Sequence, residues 1–299
     1  MNPAGRVFGP FEDAALFYIV EVGLTMKLLV TDIDETLSRG MDVTAEVAEA
    51  CARLRENGWR IMLATGRILA TARSHILGTG SDLPVIVYDG GRIMDPLTSK
   101  ALYEVPLDPA LALEIVQAGW EHPVEMQIIG DERGYCRFSD VLTRSFFRDS
   151  GVPVDDSLQS PSVPSEVFRV IFHGIPGCIR TLRRDLKAQF DGRAEVVLAG
   201  ENFLDVLPRG VSKGSALEAW LTTLPEPPEI IVAAGDHHND LEMLASAHLA
   251  VAPEDAAEEI LRMAHVIMPS ADRHGFSFLA DHLLSEEKIR SECGAAIVL

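Results

Sequence analysis

The sequence predicts an α/β fold: a doubly wound parallel sheet interrupted by an inserted α+β module. Three observations predict it. Short apolar runs ending in a polar or acidic residue recur early, at Lys27–Asp32, Arg60–Thr65 and Pro84–Tyr88, as strands of a parallel sheet buried on both faces do. Helical spacing fills the gaps between them, which gives the strand–helix–strand repeat of a doubly wound sheet. The repeat then stops, and resumes only after about residue 205.

In chain order, Met1–Thr25 reads as a poorly packed extension, or an upstream start that the fold does not need. Its apolar stretch Ala14–Val20 is flanked by Glu12, Asp13 and Glu21, with Arg6 as the lone basic side chain before it, the wrong pattern for a secretory leader. Residues 26–91 form the first part of the core. After the Lys27–Asp32 strand, Thr44–Asn57 carries apolar residues at helical spacing (Val47, Ala50, Cys51, Leu54) and stops at Gly58. The Arg60–Thr65 strand leads through Gly66-Arg67 into a helix to about Leu77, and Pro84–Tyr88 ends at Asp89-Gly90-Gly91.

Residues 92–204 read as the inserted module: a hairpin over Arg92–Leu107, a helix near Pro109–Trp120, and strands at Glu125–Ile129, Tyr135–Phe138, Phe168–His173, Glu195–Leu198 and Phe203–Leu207. A helix at Pro176–Phe190 and a Pro/Ser-rich loop at Val152–Ser165 complete it. The core resumes over residues 205–285, with a helix at Ser212–Leu224, a strand at Glu229–Ala234 and a helix at Asp240–Ser246. His248–Ala252 is expected to be the last strand, followed by a helix at Glu254–Ala264; residues 286–299 are a tail.

The 299 residues are 47% hydrophobic and 24% charged, enough for a sizeable core, and the formal net charge is −19. That charge argues against nucleic acid or an anionic membrane surface as the main partner, since phosphate backbones need basic stripes. A small phosphorylated ligand needs only one local positive site. No apolar run approaches the roughly 20 residues of a membrane span. Cys51, Cys136, Cys178 and Cys293 lie far apart with no C-x-x-C pair, so they read as buried or idle thiols in a reducing cytoplasm.

Four motifs fall at the carboxyl ends of core strands or at the helix starts that follow, where open parallel sheets bind ligands. Asp32-Ile33-Asp34-Glu35-Thr36 points two aspartates the same way at i and i+2. One can attack an electrophile or hold a cation while the other moves a proton; alone, the pattern equally fits an acidic turn. Thr65-Gly66-Arg67 offers a hydroxyl and a backbone N–H at a strand–helix turn, a phosphate-oxygen site, although glycine after a strand is commonly mere turn chemistry. Ser212-Lys213-Gly214 puts a lysine at a helix start, where the dipole disfavours it, and it makes sense if it neutralises anions across the site. Gly235-Asp236-His237-His238-Asn239-Asp240 sets two acids four apart, which suits an oxygen-seeking cation such as Mg²⁺. Its adjacent histidines read as loop residues at a pocket rim rather than zinc ligands.

Taken in this order, D-I-D-E-T, the threonine of T-G-R, the lysine of V-S-K-G and G-D-H-H-N-D resemble the four motifs of the haloacid dehalogenase-like phosphohydrolase superfamily, over about Met26 to Leu284. The insertion after the third strand resembles members with a large α/β cap, the Cof-like or type IIB group, which implies a Rossmann-like core with an α+β cap. The resemblance implies Asp32 as nucleophile forming an aspartyl-phosphate and Asp34 as general acid and then base. It implies Thr65, Gly66 and Lys213 at the substrate phosphate, with Asn239 there or behind the metal ligands, and Mg²⁺ on Asp32, the Asp34 carbonyl and Asp236, with Asp240 binding it directly or through another ligand. Three positions depart from the family pattern: Glu35 where glycine is frequent, Asp89-Gly90-Gly91 for the usual N-G-A, and Asp255 where asparagine is common. Glu35 receives no role and is expected to turn toward solvent or the cap hinge.

The expected function is a Mg²⁺-dependent phosphatase of a small phosphorylated metabolite such as a sugar phosphate. A phosphomutase of the same superfamily is an alternative. From other classes, a D-x-D glycosyltransferase would leave Thr65, Lys213 and Asp236 unexplained, and a non-catalytic phospholigand-binding protein would not need both Asp32 and Asp34. Substrate and oligomeric state stay open; Arg133, Arg137, Arg144, Arg148 and Arg169 are candidates to meet substrate, though each reads more readily as an ordinary surface charge.

Overall fold

The computed structural model describes residues 6–7, 26–130, 133–137, 153–155 and 158–285. Its central sheet has five parallel strands in the spatial order Val266–Met268, Leu249–Pro253, Ile230–Ala234, Lys27–Thr31 and Trp59–Leu63. Alternation divides each strand between two cores. Leu29, Ile61, Leu63, Val232 and Val251 pack with helices Ala45–Glu56, Leu69–Thr79 and Gly275–Leu284 on one face. Leu28, Val30, Met62, Ile231 and Ala250 pack with Lys213–Leu221, Leu241–Ala245 and Glu258–Met263 on the other. The fold is therefore the expected α/β sheet covered on both faces. Helix Ala45–Glu56 buries Val47, Ala50, Cys51 and Leu54, is capped by the Thr44 hydroxyl on the Val47 N–H, and ends at Asn57.

Two elements depart from expectation near the end. His248–Ala252 is not the last strand: Val266–Met268 pairs in parallel at the sheet edge, a run of three residues before Pro269, too short for periodicity to mark it. The preceding helix is correspondingly shorter, Glu258–Met263, and helix Gly275–Leu284 follows. The expected tail, residues 286–299, lies outside the described residues.

A second sheet pairs Arg6–Val7, Ala101–Glu104, Arg92–Met94 and Val85–Val87 in antiparallel order, joined to the central sheet through the Ala64–Ile86 bridge. Arg6 and Val7 thus add a strand from a segment expected to be dispensable. The hairpin assigned above to the inserted module packs Ile93, Leu102, Tyr103 and Val105 among the core residues Leu28, Val30 and Met62, so we propose that the module begins after Val105.

The third sheet, the cap sheet, has six strands in the order Ala194–Leu198, Phe203–Pro208, Arg169–His173, Glu125–Ile129, Gly134–Cys136 and Val154–Asp155; the last pair is parallel, the others antiparallel. Met126, Ile128, Val170, Phe172, Leu204 and Val206 pack against helices Pro109–Trp120 and Pro176–Phe190. The intervening residues Gln127, Ile129, Arg169, Ile171 and Phe203 line a pocket facing the core. Among the described residues, no helix is long and apolar enough to cross a membrane.

Candidate functional site

The pocket encloses about 390 Å³ between the carboxyl end of the central sheet and this cap face. Asp32 follows the Lys27–Thr31 strand directly, and its N–H still bonds the Ala234 carbonyl at 2.9 Å, so strand pairing fixes its backbone. The chain then turns tightly, with the Leu37 and Ser38 N–H groups on the Ile33 carbonyl, and Glu35 in the left-handed region at φ 62°.

Lys213 is fully buried beneath Asp32. Its Nζ donates to Asp32 Oδ1 at 2.6 Å and Asp240 Oδ1 at 2.7 Å, with Asp89 Oδ1 at 3.9 Å. Ser212 caps its helix by accepting from the Ser215 N–H. Gly90 makes that approach possible: its φ is +102°, and a Cβ there would lie 2.1 Å from the Ser212 carbonyl oxygen. Asp240 spends its other oxygen on its own loop, accepting from the Asp236 and His237 N–H groups at 3.0 and 3.1 Å. Asp236 in turn accepts from the Thr36 hydroxyl at 3.0 Å.

Carboxylate oxygens of Asp32, Asp236 and Asp240 lie within 4.8 Å of one another, the single such cluster of potential ligands among the described residues. An all-oxygen donor set of this kind fits a hard divalent cation. Burial pushes the Asp236 carboxyl up to about 7, helped by Asp240 and opposed by Lys213 and Thr36. Burial also raises Asp32 against the pull of Lys213. Burial alone would depress the Lys213 ammonium, but Asp240, Asp32 and Asp89 outweigh it and hold the proton on. The three carboxylates crowded around one ammonium leave the cluster short of positive charge, which a cation would supply.

The other predicted residues divide. Asp34, Gly66 and Asn239 line the pocket; Thr65 lies fully buried behind it, its hydroxyl accepting from the Arg67 N–H at 3.1 Å. The Asn239 amide donates to Asp89 Oδ1 at 2.9 Å. Asp34 points away from the carboxylate cluster into the pocket, where Arg67 grips both its oxygens, Nη2 to Oδ1 at 2.5 Å and Nε to Oδ2 at 3.0 Å. Arg67 is itself held by the Thr71 and Gly40 carbonyls. Sequence reasoning quoted Arg67 only as the end of T-G-R; a fork-shaped donor beside a predicted acid was the available signal. Glu35 is 55% exposed and paired with Arg39 at 2.6 Å, which also reaches Asp255 and Asp272; it lines the pocket as well, rather than turning wholly to solvent. His237 lines the rim with His238 beside it, and His238 faces Glu259.

Arg169 departs most from expectation. Rather than a surface charge, its side chain is 11% exposed and reaches from the cap sheet into the core. Nη1 meets Asp89 at 2.9 Å and the Gly66 carbonyl at 2.6 Å, and Nη2 meets Asp205 at 2.6 Å. A Cβ on Gly66 would sit 2.6 Å from that Nη1, which explains the glycine. Arg144 and Arg148 lie outside the described residues.

Comparison with known proteins agrees with this architecture. Residues 29–278 match the family described as haloacid dehalogenase-like hydrolase. The chloroplastic endoribonuclease YBEY of Arabidopsis thaliana is 29% identical over 264 residues, which cover 82% of this chain and 44% of that protein, so the chain spans less than half of that relative's length. Among solved structures, a haloacid dehalogenase-like hydrolase from Bacteroides thetaiotaomicron superposes with a TM-score of 0.74 at 21% identity, covering 86% of this chain and 99% of that one. A subclass IIB sugar phosphatase gives 0.72 at 18% identity, with 86% and 99% covered. At these identities the likeness is one of fold.

Proposed function

The chain belongs to the haloacid dehalogenase-like hydrolase family, and from that premise we propose that it is a Mg²⁺-dependent phosphatase of a small phosphorylated metabolite, working through an aspartyl-phosphate. The observation that carries this reading is Lys213, fully buried, with its ammonium 2.6 Å from Asp32. Held in place by Asp32, Asp240 and Asp89, that ammonium is set to offset the negative charge that a transferring phosphoryl group brings to Asp32.

In this reading an Asp32 oxygen attacks phosphorus in line, the ester P–O bond breaks, and the leaving alkoxide takes a proton from Asp34. Asp34, now a carboxylate, removes a proton from water, and that water's oxygen attacks the aspartyl-phosphate, releasing inorganic phosphate and restoring Asp32. Arg67 positions Asp34 by its two-point grip. Lys213 offsets charge at Asp32, while Thr65 and the Gly66 turn shape the phosphate end. Asp32, the Asp34 carbonyl, Asp236 and Asp240 would hold Mg²⁺, which supplies positive charge to the transferring phosphoryl oxygens. The Asn239 amide, bonded to Asp89, contributes through that carboxylate. We place the protein in the cytoplasm: burial pushes the Cys51 thiol up to about 12, leaving it inert, as a buried thiol of a reducing compartment would be.

Phosphate release from a panel of phosphorylated metabolites tests the reading. Activity should require Mg²⁺, vanish in EDTA, and be lost in Asp32→Asn with the fold retained by circular dichroism. Full activity in that variant would end the covalent mechanism.

A further inference from the structure

The cap presents a pocket wall whose charge is already neutralised. Its residues Gln127, Ile129, Ile171, Ala199, Gly200 and Phe203 are uncharged. The cations lining the pocket, among the described residues, are Arg67 and Arg169. Arg67 belongs to Asp34. Arg169 is held from both sides, by Asp205 of the adjacent cap strand and by Asp89 of the core. Both carboxylates are 1% exposed, so a substrate anion that drew Arg169 away would leave Asp205 without its cation and Asp89 with only the Asn239 amide and the more distant Lys213. The remaining wall, with Asp34, Glu35, Asp89 and Asp236, adds acidic groups rather than a cation for a second anion.

Resting on the phosphatase reading, we propose that Asp205 is a specificity-determining residue which, with Asp89, masks Arg169 and so restricts the site to phosphomonoesters whose alcohol portion carries no second negative charge. Phe203, 40% exposed in the pocket, and Ile129 and Ile171 give that portion an apolar face to rest on, and the Gln127 amide gives it a hydrogen-bonding group. Among the described cap residues lining the pocket, a bisphosphate or a phosphorylated carboxylic acid would find no cation but the masked Arg169. Asp205 acts through Arg169 and touches no reacting atom; it is a positioning residue.

Glycerol 3-phosphate and 3-phosphoglycerate form a matched pair, of equal carbon number and differing by a carboxylate. Their kcat/KM values, or inhibition constants against p-nitrophenyl phosphate where turnover is slow, are to be compared in the Mg²⁺-loaded full chain. Glycerol 3-phosphate, whose alcohol portion is uncharged, should be favoured about tenfold or more, because the carboxylate of its competitor meets like charge at the pocket wall. In Asp205→Asn, which frees one side of Arg169, that ratio should fall about fivefold; being a ratio, it does not depend on how much of the variant folds. Equal treatment of the two compounds by the wild type, a preference for 3-phosphoglycerate, or an unchanged ratio in a folded Asp205→Asn would overturn the inference. Should the variant not fold, the wild-type ratio decides alone. Loss of p-nitrophenyl phosphate hydrolysis from the wild type would instead remove the phosphatase reading beneath it, so the two failures are distinguishable.

Discussion

Among the described residues, the core supplies five carboxylates to the pocket, Asp32, Asp34, Glu35, Asp89 and Asp236, whereas the cap sheet sets Asp205 behind Arg169. The difference follows from how each sheet delivers side chains. Parallel strands all end at the same edge, so the residues just beyond Lys27–Thr31 and Ile230–Ala234 converge on one point. An antiparallel sheet spreads every second residue over a broad face, which suits shape and polarity better than concentrated charge. In the proposed reading, chemistry gathers on the core and selection on the cap.

Variants can break or sharpen this division. The largest effect is expected from Lys213→Met in the core: turnover of every phosphomonoester should be lost, and leaving Asp32 and Asp240 buried without their partner should cost about 3–5 kcal/mol in urea unfolding. Substrate-selective loss would break the comparison. Arg67→Lys, which cannot hold both Asp34 oxygens, should lower kcat about 10- to 100-fold for all substrates alike, read from steady-state kinetics. On the cap, Phe203→Ala should act through KM, raising it about tenfold for the preferred substrate with kcat nearly unchanged; an equal loss in kcat would move Phe203 to the chemical side of the division.

The acid cluster also predicts a pH dependence in the core. Asp236 is pushed up to about 7 from 3.8, so without metal the folded state keeps a proton that the unfolded chain has already lost. Stability from this group is present below about pH 4 and declines as pH rises through 7. Mg²⁺ must displace that proton, so its affinity should strengthen up to about tenfold per pH unit below 7 and level off above, measured calorimetrically. The smallest effect belongs to Glu35→Gln, whose exposed pair with Arg39 is expected to change stability by less than about 0.5 kcal/mol and kcat less than about twofold.

Much of this arrangement was legible along the chain. The runs at Lys27–Asp32, Arg60–Thr65 and Glu229–Ala234 announced buried parallel strands, and the acids beyond their ends with the lysine at a helix start marked the places that the fold brings within 2.6–2.7 Å of each other. The Val266–Met268 strand was not legible, because three residues carry no period. Nor was the Arg92–Glu104 hairpin's attachment to the core, since its alternating apolar residues would suit either neighbour.

Apolar periodicity and strand-end acids determine, by themselves, the layered α/β order and the location of the reactive edge, because burial of a strand or helix face is written in residues a few positions apart. The partners of individual charges were decided only by tertiary structure. Arg169 looks like any surface arginine until the cap sheet places it between Asp89 and Asp205; Asn239 turns to Asp89, and Arg67 closes on Asp34. An ion pair depends on distance and burial across scores of intervening residues, and neither quantity leaves a mark in the local sequence.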